Sequence, residues 1–234
     1  MQHSSHHYIL KISCPATSGI VAAVTTFLAQ SGCYISEMAQ FDDEFHERFF
    51  MRAVFRGNSG GELDLAQIEK GFAGVAERFA MQWELHSQAQ PMRVLLMVSK
   101  YDHCLNDLLY RYHKGEMHMQ ITAIVSNHLD LRPMAEREGI RFIYLPVNKD
   151  NKAQQEAELL KIVQDTQTEL VVLARYMQIL SDDLCRHLNG RAINIHHSFL
   201  PGFKGAKPYH QAWDRGVKLI GATAHYVTSD LDEG

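Results

Sequence analysis

The first third of the chain has the hydrophobic pattern of a small antiparallel sheet with two helices. Residues 8–13 alternate apolar and polar side chains, and residues 33–39, 49–55 and 82–85 are three further strand-like stretches. Two stretches carry apolar side chains at helical spacing, at residues 17–30 and 63–80. Because strands and helices differ in period, this order predicts a ferredoxin-like βαββαβ unit with both helices on one face. The acidic residues 42–44 are expected to connect the second and third strands.

Beyond residue 91 strand-like apolar runs alternate with helical stretches. The runs lie at residues 94–98, 121–126, 142–147, 170–173, 192–195 and 219–228. The helical stretches lie at residues 104–112, 131–138, 152–164, 182–188 and 209–215. Continuous apolar strands are typical of a parallel sheet covered on both faces. We therefore predict an α/β chain with a domain at residues 1–87, a linker at 88–91 and a Rossmann-like, mostly parallel domain at 92–234.

Parallel sheets bind ligands beyond the carboxyl ends of their strands, which places candidate sites after Val98, Val147, Leu173 and Ile195. The loop after the first of these strands, residues 99–103, contains no glycine. It lacks the GxGxxG and P-loop patterns, so a nucleotide-binding cradle is not expected there.

The composition is that of an ordinary folded globular chain. Of its 234 residues 46% are hydrophobic and 21% are charged, so the chain can bury a sizeable core. A net charge of −4 argues against a strongly basic nucleic-acid-binding surface. The apolar runs are too short to span a membrane. We therefore expect neither nucleic acid nor a membrane as a partner.

The cysteines and histidines form no recognisable metal-binding pattern. Four cysteines lie far apart without a CxxC pair, which favours reduced thiols in a cytoplasmic protein. The sequence contains no HExxH motif, and we expect neither a metal nor a cofactor. His3, His6 and His7 could bind metal adventitiously, but the polar N-terminus is expected to be solvated and frayed.

The candidate chemistry is concentrated between residues 194 and 201. Alternation along the predicted strand places Asn194 and His196 on one side, while Ile195 points into the packing. An isolated Asn or His at a strand end usually only hydrogen-bonds a loop. An amide donor beside a titratable donor at a predicted ligand-binding edge favours a functional role.

An acidic loop, residues 229–234, follows the last predicted strand and has two interpretations. It either returns toward Asn194 and His196 or forms a solvated turn. Lys204 and Lys207 lie between the two segments. They either attract an anionic substrate or belong to an ordinary surface loop, and spacing alone decides neither question.

These segments resemble the signature of the 10-formyltetrahydrofolate-dependent formyltransferase family. The similar residues are Asn194-Ile195-His196, Ser198-x-Leu200-Pro201, His225-Tyr226-Val227 and Leu231-Asp232-x-Gly234. The longer strings at residues 196–201 and 204–212 resemble one branch of that family, the deformylases. Cys14-Pro15-x-x-x-Gly19-Ile20 resembles the strand-to-helix turn of an ACT domain, a module that senses small molecules. The resemblance covers residues 8–234.

The resemblance implies an enzyme that hydrolyses 10-formyltetrahydrofolate to formate and tetrahydrofolate. Asn194 is then expected to donate to the formyl oxygen, and a protonated His196 to stabilise the oxyanion. Asp232 is expected to orient water, take its proton and return one to the departing folate nitrogen. Folate is the substrate in this interpretation, and no cofactor is required.

The resemblance also implies a folate pocket. Met177, Gln178, Ile179 and Leu180 match a stretch that lines the pteridine pocket in the family, and Thr228 and Asp230 are the further substrate-binding candidates. Core packing after a strand is an equally good interpretation of the three apolar residues.

Related transferases hold a phosphorylated amine with a glycine- and serine-rich loop. The corresponding residues 100–103 are large or charged here, which is unsuited to a phosphate nest and favours water as the acceptor. Two alternatives stay open: a formyltransferase that uses the same donor with an amine acceptor, and a non-catalytic amino-acid-binding regulator.

The ACT resemblance implies an effector site at the Pro15–Ile20 turn, with Pro15, Gly19 and Ile20 as its candidate residues. The backbone N–H groups of this turn would hold the carboxylate of methionine or glycine. A dimerisation module without a ligand is the alternative, and both predict a homo-oligomer. The family continues beyond the position of Gly234 through another strand and a helix, so we expect the C-terminal part to be missing from this sequence. A carboxylate as near the end as Asp232 is expected to fray unless it is anchored.

Overall fold

The computed structural model of the chain describes residues 6–59, 61–205 and 207–233. The chain divides into two units, Met1–Gln90 and Pro91–Gly234. Within the described ranges no helix is long and apolar enough to cross a membrane. His3 and Gly234, which belong to patterns noted above, lie outside the described residues.

The first unit is a four-stranded sheet with two helices. In chain order its elements are β1 (His7–Pro15), α1 (Ile20–Gln30), β2 (Cys33–Asp43), β3 (Arg48–Gly57), α2 (Leu65–Arg78) and β4 (Gln82–Ser87). The strand order is β2-β3-β1-β4, and each neighbouring pair is antiparallel, which is the βαββαβ arrangement that the pattern predicts. Alternate apolar side chains of β1 share one core with the apolar faces of both helices.

Two boundaries in this unit differ from the sequence-based expectation. Helix α1 begins at Ile20 rather than at residue 17, because Gly19 precedes it with a left-handed φ of 91°. The acidic connection is shorter than expected because Asp43 still belongs to β2, where it pairs with Arg48. The turn between β2 and β3 is therefore residues 44–47.

The expectation of a frayed N-terminus is wrong for His7. This residue starts β1, and its carbonyl oxygen accepts the backbone N–H of Gln88 at 2.8 Å. Pairing on both sides of β1 therefore holds the chain from His7 onward.

The second unit is a six-stranded sheet that is parallel except for one edge strand. Its strands are β5 (Met92–Val98), β6 (Met119–Ser126), β7 (Phe142–Tyr144), β8 (Leu170–Leu173), β9 (Ala192–His196) and β10 (Thr223–Tyr226). Its helices are α3 (His103–His113), α4 (Arg132–Arg137), α5 (Lys152–Asp165), α6 (Asp182–His187) and α7 (Pro208–Asp214). The strand order is β10-β9-β8-β5-β6-β7, with β10 antiparallel to β9. Successive residues of β5 enter two different core clusters, so both faces of the sheet are covered.

The edge strands are shorter than the apolar runs suggested. β7 ends at Tyr144, which pairs with Ser126, the last residue of β6. β7 is also the edge strand farthest from β9, so the site expected after Val147 does not adjoin the residues of β9. β10 is limited to Thr223–Tyr226, and the apolar side chain of Leu219 before it is 76% exposed.

Candidate active site

One cavity of about 290 Å³ lies at the carboxyl ends of β8 and β9. Its walls come mainly from residues 175–180 after β8, 194–197 at the end of β9, and 227–232 after β10. The first two segments meet because β8 and β9 are neighbouring parallel strands. Two of the four expected strand ends, those after Leu173 and Ile195, therefore form this cavity together.

Asn194, His196 and Asp232 all line the cavity. His196 Nδ1 lies 3.3 Å from Asp232 Oδ1, and both side chains are almost fully buried. Asp232 Oδ2 accepts the backbone N–H of Gly205 at 2.9 Å, so the carboxylate is anchored. The acidic loop therefore returns to the end of β9, which spacing along the sequence left open.

His196 uses both ring nitrogens within the protein. Its Nε2 lies 3.0 Å from the carbonyl oxygen of Phe203, and because a carbonyl only accepts, this nitrogen is a donor. Nδ1 faces the Asp232 carboxylate, so a ring protonated at both nitrogens satisfies both contacts. Contrary to the expectation for an oxyanion donor, neither N–H is left free to point into the cavity.

His225 is a neighbour of these residues to which the sequence assigned no role. Its Nδ1 lies 2.9 Å from the carbonyl oxygen of Tyr226 and must donate. Nε2 is then free to accept the Nδ2–H of Asn194, at 3.2 Å, and it lies 3.8 Å from Asp232 Oδ1. Only the pairing of β9 with β10, which sets His225 opposite Asn194, reveals this contact.

A second feature missed in the sequence is a buried hydrogen-bonded pair behind the folate candidate stretch. The hydroxyl of Ser99, after β5, donates to Asn127 Oδ1 at 2.6 Å and accepts the backbone N–H of Met177 at 3.2 Å. Ser99 and Asn127 are both buried. The ends of β5 and β6 thus fix the loop that follows β8.

The predicted folate-binding residues all line the cavity but differ in burial. Met177 and Ile179 are 54% and 64% exposed, so core packing does not explain them. Leu180, by contrast, is buried in a core cluster. The hydroxyl of Thr228 donates to the carbonyl oxygen of Asp230 at 3.0 Å, which closes the loop on the opposite wall.

The lysines near the cavity have different surroundings. Lys204 Nζ pairs with Glu233 Oε1 at 2.5 Å, so its charge is directed to the segment that carries Asp232. Lys207 is exposed and precedes α7 with a left-handed φ of 53°. Lys204 therefore holds the acidic segment rather than facing the cavity as an unpaired cation.

Tyr176 is half-buried in the cavity wall. Burial, and then the nearby carboxylate of Glu156, raise the pKa of Tyr176 to about 12. The phenol is therefore neutral at ordinary pH.

Among the described residues, no three His, Cys, Asp or Glu side chains are grouped so that they could hold a metal ion.

The predicted effector residues lie in the first unit, at the turn between β1 and α1. Ile20 is buried in the core of that unit, so only its backbone is available to a ligand. The neighbouring amide of Ala16 already donates to the carbonyl oxygen of Glu47 at 2.9 Å. Pro15 and Gly19 flank the remaining amides of the turn, and Pro15 itself has no N–H to donate.

Known proteins resemble this chain at the levels of domain and sequence. Residues 92–234 match the family model described as formyl transferase. The formyltetrahydrofolate deformylase of Corynebacterium sp. (strain P-1) is 52% identical over 227 residues, which are 97% of this chain and 79% of that protein. That of Bacillus subtilis (strain 168) is 45% identical over 226 residues, 96% of this chain and 75% of that protein.

Solved structures give the same result. The crystal structure of formyltetrahydrofolate deformylase from Burkholderia mallei ATCC 23344 is 53% identical, with a TM-score of 0.88, and the match covers 98% of this chain and 80% of that one. Phosphoribosylglycinamide formyltransferase from Coxiella burnetii is 29% identical with a TM-score of 0.57, over 62% of this chain and 69% of that one. This chain belongs to the formyltetrahydrofolate deformylase family, a branch of the formyl transferases.

Proposed function

We propose that this chain hydrolyses 10-formyltetrahydrofolate to formate and tetrahydrofolate. The observation that carries the proposal is the convergence of Asn194, His196 and Asp232 on one cavity, in a chain of the deformylase family. An amide donor, an imidazole and a buried carboxylate are the groups that hydrolysis of a formyl amide needs.

The reaction begins when Asp232 takes a proton from water as the water oxygen adds to the formyl carbon. The amide of Asn194 donates to the formyl oxygen, on which negative charge develops. His225 holds one N–H of this amide, so the second N–H is left for the substrate. The oxyanion then collapses, the bond from carbon to the folate nitrogen breaks, and Asp232 returns the proton to that nitrogen. Formic acid leaves and loses its own proton to solvent.

His196 enters this reaction by exchanging one acceptor for another. Without substrate, the Nε2–H of His196 donates a hydrogen bond to the Phe203 carbonyl oxygen. In the transition state the same N–H donates to the oxyanion instead. The exchange is favourable because a hydrogen bond to a charged oxygen is about twice as strong as one to a neutral carbonyl. The Asp232 carboxylate keeps the ring oriented through Nδ1.

The pteridine ring is assigned to the wall formed by residues 175–180. Exposed Met177 and Ile179 offer apolar contact that only a ligand covers, with Leu180 behind them. Gln178, Thr228 and Asp230 supply the polar contacts around the rim of the cavity. The buried pair of Ser99 and Asn127 keeps the backbone of this wall in place.

The test is formate release from 10-formyltetrahydrofolate in buffer alone. We expect formate and tetrahydrofolate in equal amounts, without any added amine. Turnover that starts only when an amine is added would instead make the chain a formyltransferase. Folded protein that gives no turnover with or without an amine would favour a non-catalytic regulator.

We further propose that the first unit is an ACT-like regulatory domain that binds a free amino acid. Its βαββαβ topology and the turn that ends at Gly19 support this assignment. Calorimetric titration with methionine and with glycine tests it. Heat from one of the two identifies the effector, and the absence of heat from both leaves a dimerisation role.

We also propose that the chain is a cytoplasmic homo-oligomer. Its four cysteines are unpaired, as expected for a reducing compartment. β2 is an edge strand, and Phe41 on it is 64% exposed. Phe45, in the turn that follows β2, is 89% exposed. Light scattering on the wild type and on Phe41→Lys measures the oligomer and whether this edge forms it.

A further inference from the structure

Arg175 has an unusual conformation for an arginine on a cavity wall. It follows β8 with a left-handed φ of 64°, which costs an L-residue free energy. Its Nε is buried and has no hydrogen-bond partner in the described part of the chain. A strained backbone and an unpaired charged donor at the same residue indicate a role other than packing.

The side chains around Arg175 are aromatic and basic. Its guanidinium carbon lies 5.4 Å from the centre of the Tyr101 ring, and that ring lies 6.5 Å from the ring of His103 at the start of α3. His197, on the same cavity wall, lies 5.4 Å from the His196 ring, centre to centre. Among the described residues, Arg175 forms no ion pair with a carboxylate.

The electrostatic environment of His197 shows that these groups act on one another. Burial lowers the pKa of His197, and the charges of Arg175, His196 and His103 lower it further. The carboxylate of Asp232 acts in the opposite direction and is the only acid among the causes. Basic groups therefore outnumber the one carboxylate among the side chains that act on His197.

We propose that Arg175, with His197, forms a small-anion site that takes the carboxylate of the formate product. The identification of the anion rests on the proposed function. A planar guanidinium binds a planar carboxylate through two parallel hydrogen bonds. The site lies on the cavity wall, so the product moves from Asn194 to Arg175 as it leaves.

The expected affinity is weak. Formate has three non-hydrogen atoms, and the best efficiency per atom limits the dissociation constant to the order of 1 mM. Bound formate adds negative charge beside His197, so it stabilises the imidazolium. Affinity should therefore rise as the pH falls through the lowered pKa of His197, below the ordinary value of 6.5.

The test is direct binding of ¹³C-formate to the full chain without folate, followed by the formate resonance. Arg175→Met should weaken binding at least roughly tenfold, since it removes a charge-assisted bidentate pair. Arg56→Met is the matched control, because Arg56 also stacks on a ring, 4.5 Å from the centre of Tyr34, but lies in the first unit. It should leave binding unchanged.

A third variant separates this site from the reaction centre. Under the proposal, Asn194→Ala keeps most of the formate binding. If formate instead binds at the oxyanion position, Asn194→Ala loses the binding and Arg175→Met retains it. Chloride that competes for the site as well as unlabelled formate does would also overturn the proposal, because a spherical ion cannot form two parallel hydrogen bonds with the planar guanidinium. Since binding needs no turnover, failure of this site is distinguishable from failure of the hydrolase function.

Discussion

Asp232 depends on contacts from distant parts of the chain. A backbone N–H from the loop after β9 holds one carboxylate oxygen, and two histidines face the other. We expect Asp232→Asn to keep the fold, because the amide has nearly the same shape. It should lower formate release by roughly 10²-fold or more, since a general base is worth about 10²–10⁴-fold. A coupled formate assay measures the rate, and circular dichroism checks the fold.

The control for this variant is Asp183→Asn, which neutralises an exposed carboxylate on α6 that pairs only with surface groups. Such pairs contribute little, so its activity should equal that of the wild type. An Asp232→Asn enzyme that retains much of the wild-type rate would remove the proposed base.

His225 is a positioning residue for Asn194. In His225→Ala the amide loses the acceptor that orients it, so kcat should fall roughly 10- to 100-fold with little change in KM. His225→Gln retains an acceptor oxygen and should recover part of the loss. Steady-state kinetics on both variants measures kcat and KM. An equal loss of kcat in His225→Ala and His225→Gln, or a change in KM alone, would argue against a positioning role for His225.

Sequence reasoning at this scale succeeded where the chemistry follows from neighbours along the chain. Alternation along one strand was enough to put Asn194 and His196 on the same side. The contacts of His225 and Arg175 were not predictable, because each partner lies on a different segment. The same holds for the Phe203 carbonyl, which occupies the His196 nitrogen that was expected to be free.

At the scale of elements, the start of α1 depends on one glycine. Gly19 has φ of 91° with open space around its α-carbon, so a methyl group there causes backbone strain without a clash. Gly19→Ala should lower the free energy of unfolding by about 1–2 kcal/mol. Denaturant unfolding followed by circular dichroism measures this change.

Gly74→Ala is the opposite case and serves as the control. Gly74 lies inside α2, also with open space around it, and alanine is the better helix former. Its substitution should raise the free energy of unfolding by roughly 0.5–1 kcal/mol. Two variants that shift in the same direction would show that the conformation of Gly19 is not the cause.

Most elements were predicted within a few residues because their periodicity is local. Residues 170–173 and 192–195 match β8 and β9 closely, and the five helices of the second unit all occur. The errors lie at the edge strands, β7 and β10, which have a neighbour on one side only. There the end of the paired partner strand, rather than the apolar run, decides where the strand ends.

For the whole molecule, the partial burial of Tyr176 predicts how stability changes at high pH. Because the pKa of Tyr176 is raised to about 12, the folded chain keeps a proton that the unfolded chain loses near pH 10. Its contribution is complete below pH 10 and disappears as the pH rises toward 12. Two pKa units correspond to at most about 3 kcal/mol.

Denaturant unfolding at several pH values between 9 and 12, for the wild type and for Tyr176→Phe, measures this contribution. The phenylalanine variant, which cannot ionise, should lose less stability over this range than the wild type. Parallel curves for the two proteins would mean that the phenol is not protected in the folded state. Ultraviolet titration of the wild type should also show one tyrosine that ionises late.

The sequence by itself determined the types and order of the elements, the division near residue 90 and the family, because periodicity and motifs are properties of nearby residues. Tertiary structure alone decided the strand order, which sets β8 and β9 side by side and brings the end of the chain back to them. It also decided which ring nitrogens of His196 and His225 already have hydrogen-bond partners, and that the Nε of Arg175 has none among the described residues. These are properties of pairs of residues far apart in sequence, whose distances depend on the packing of the entire sheet.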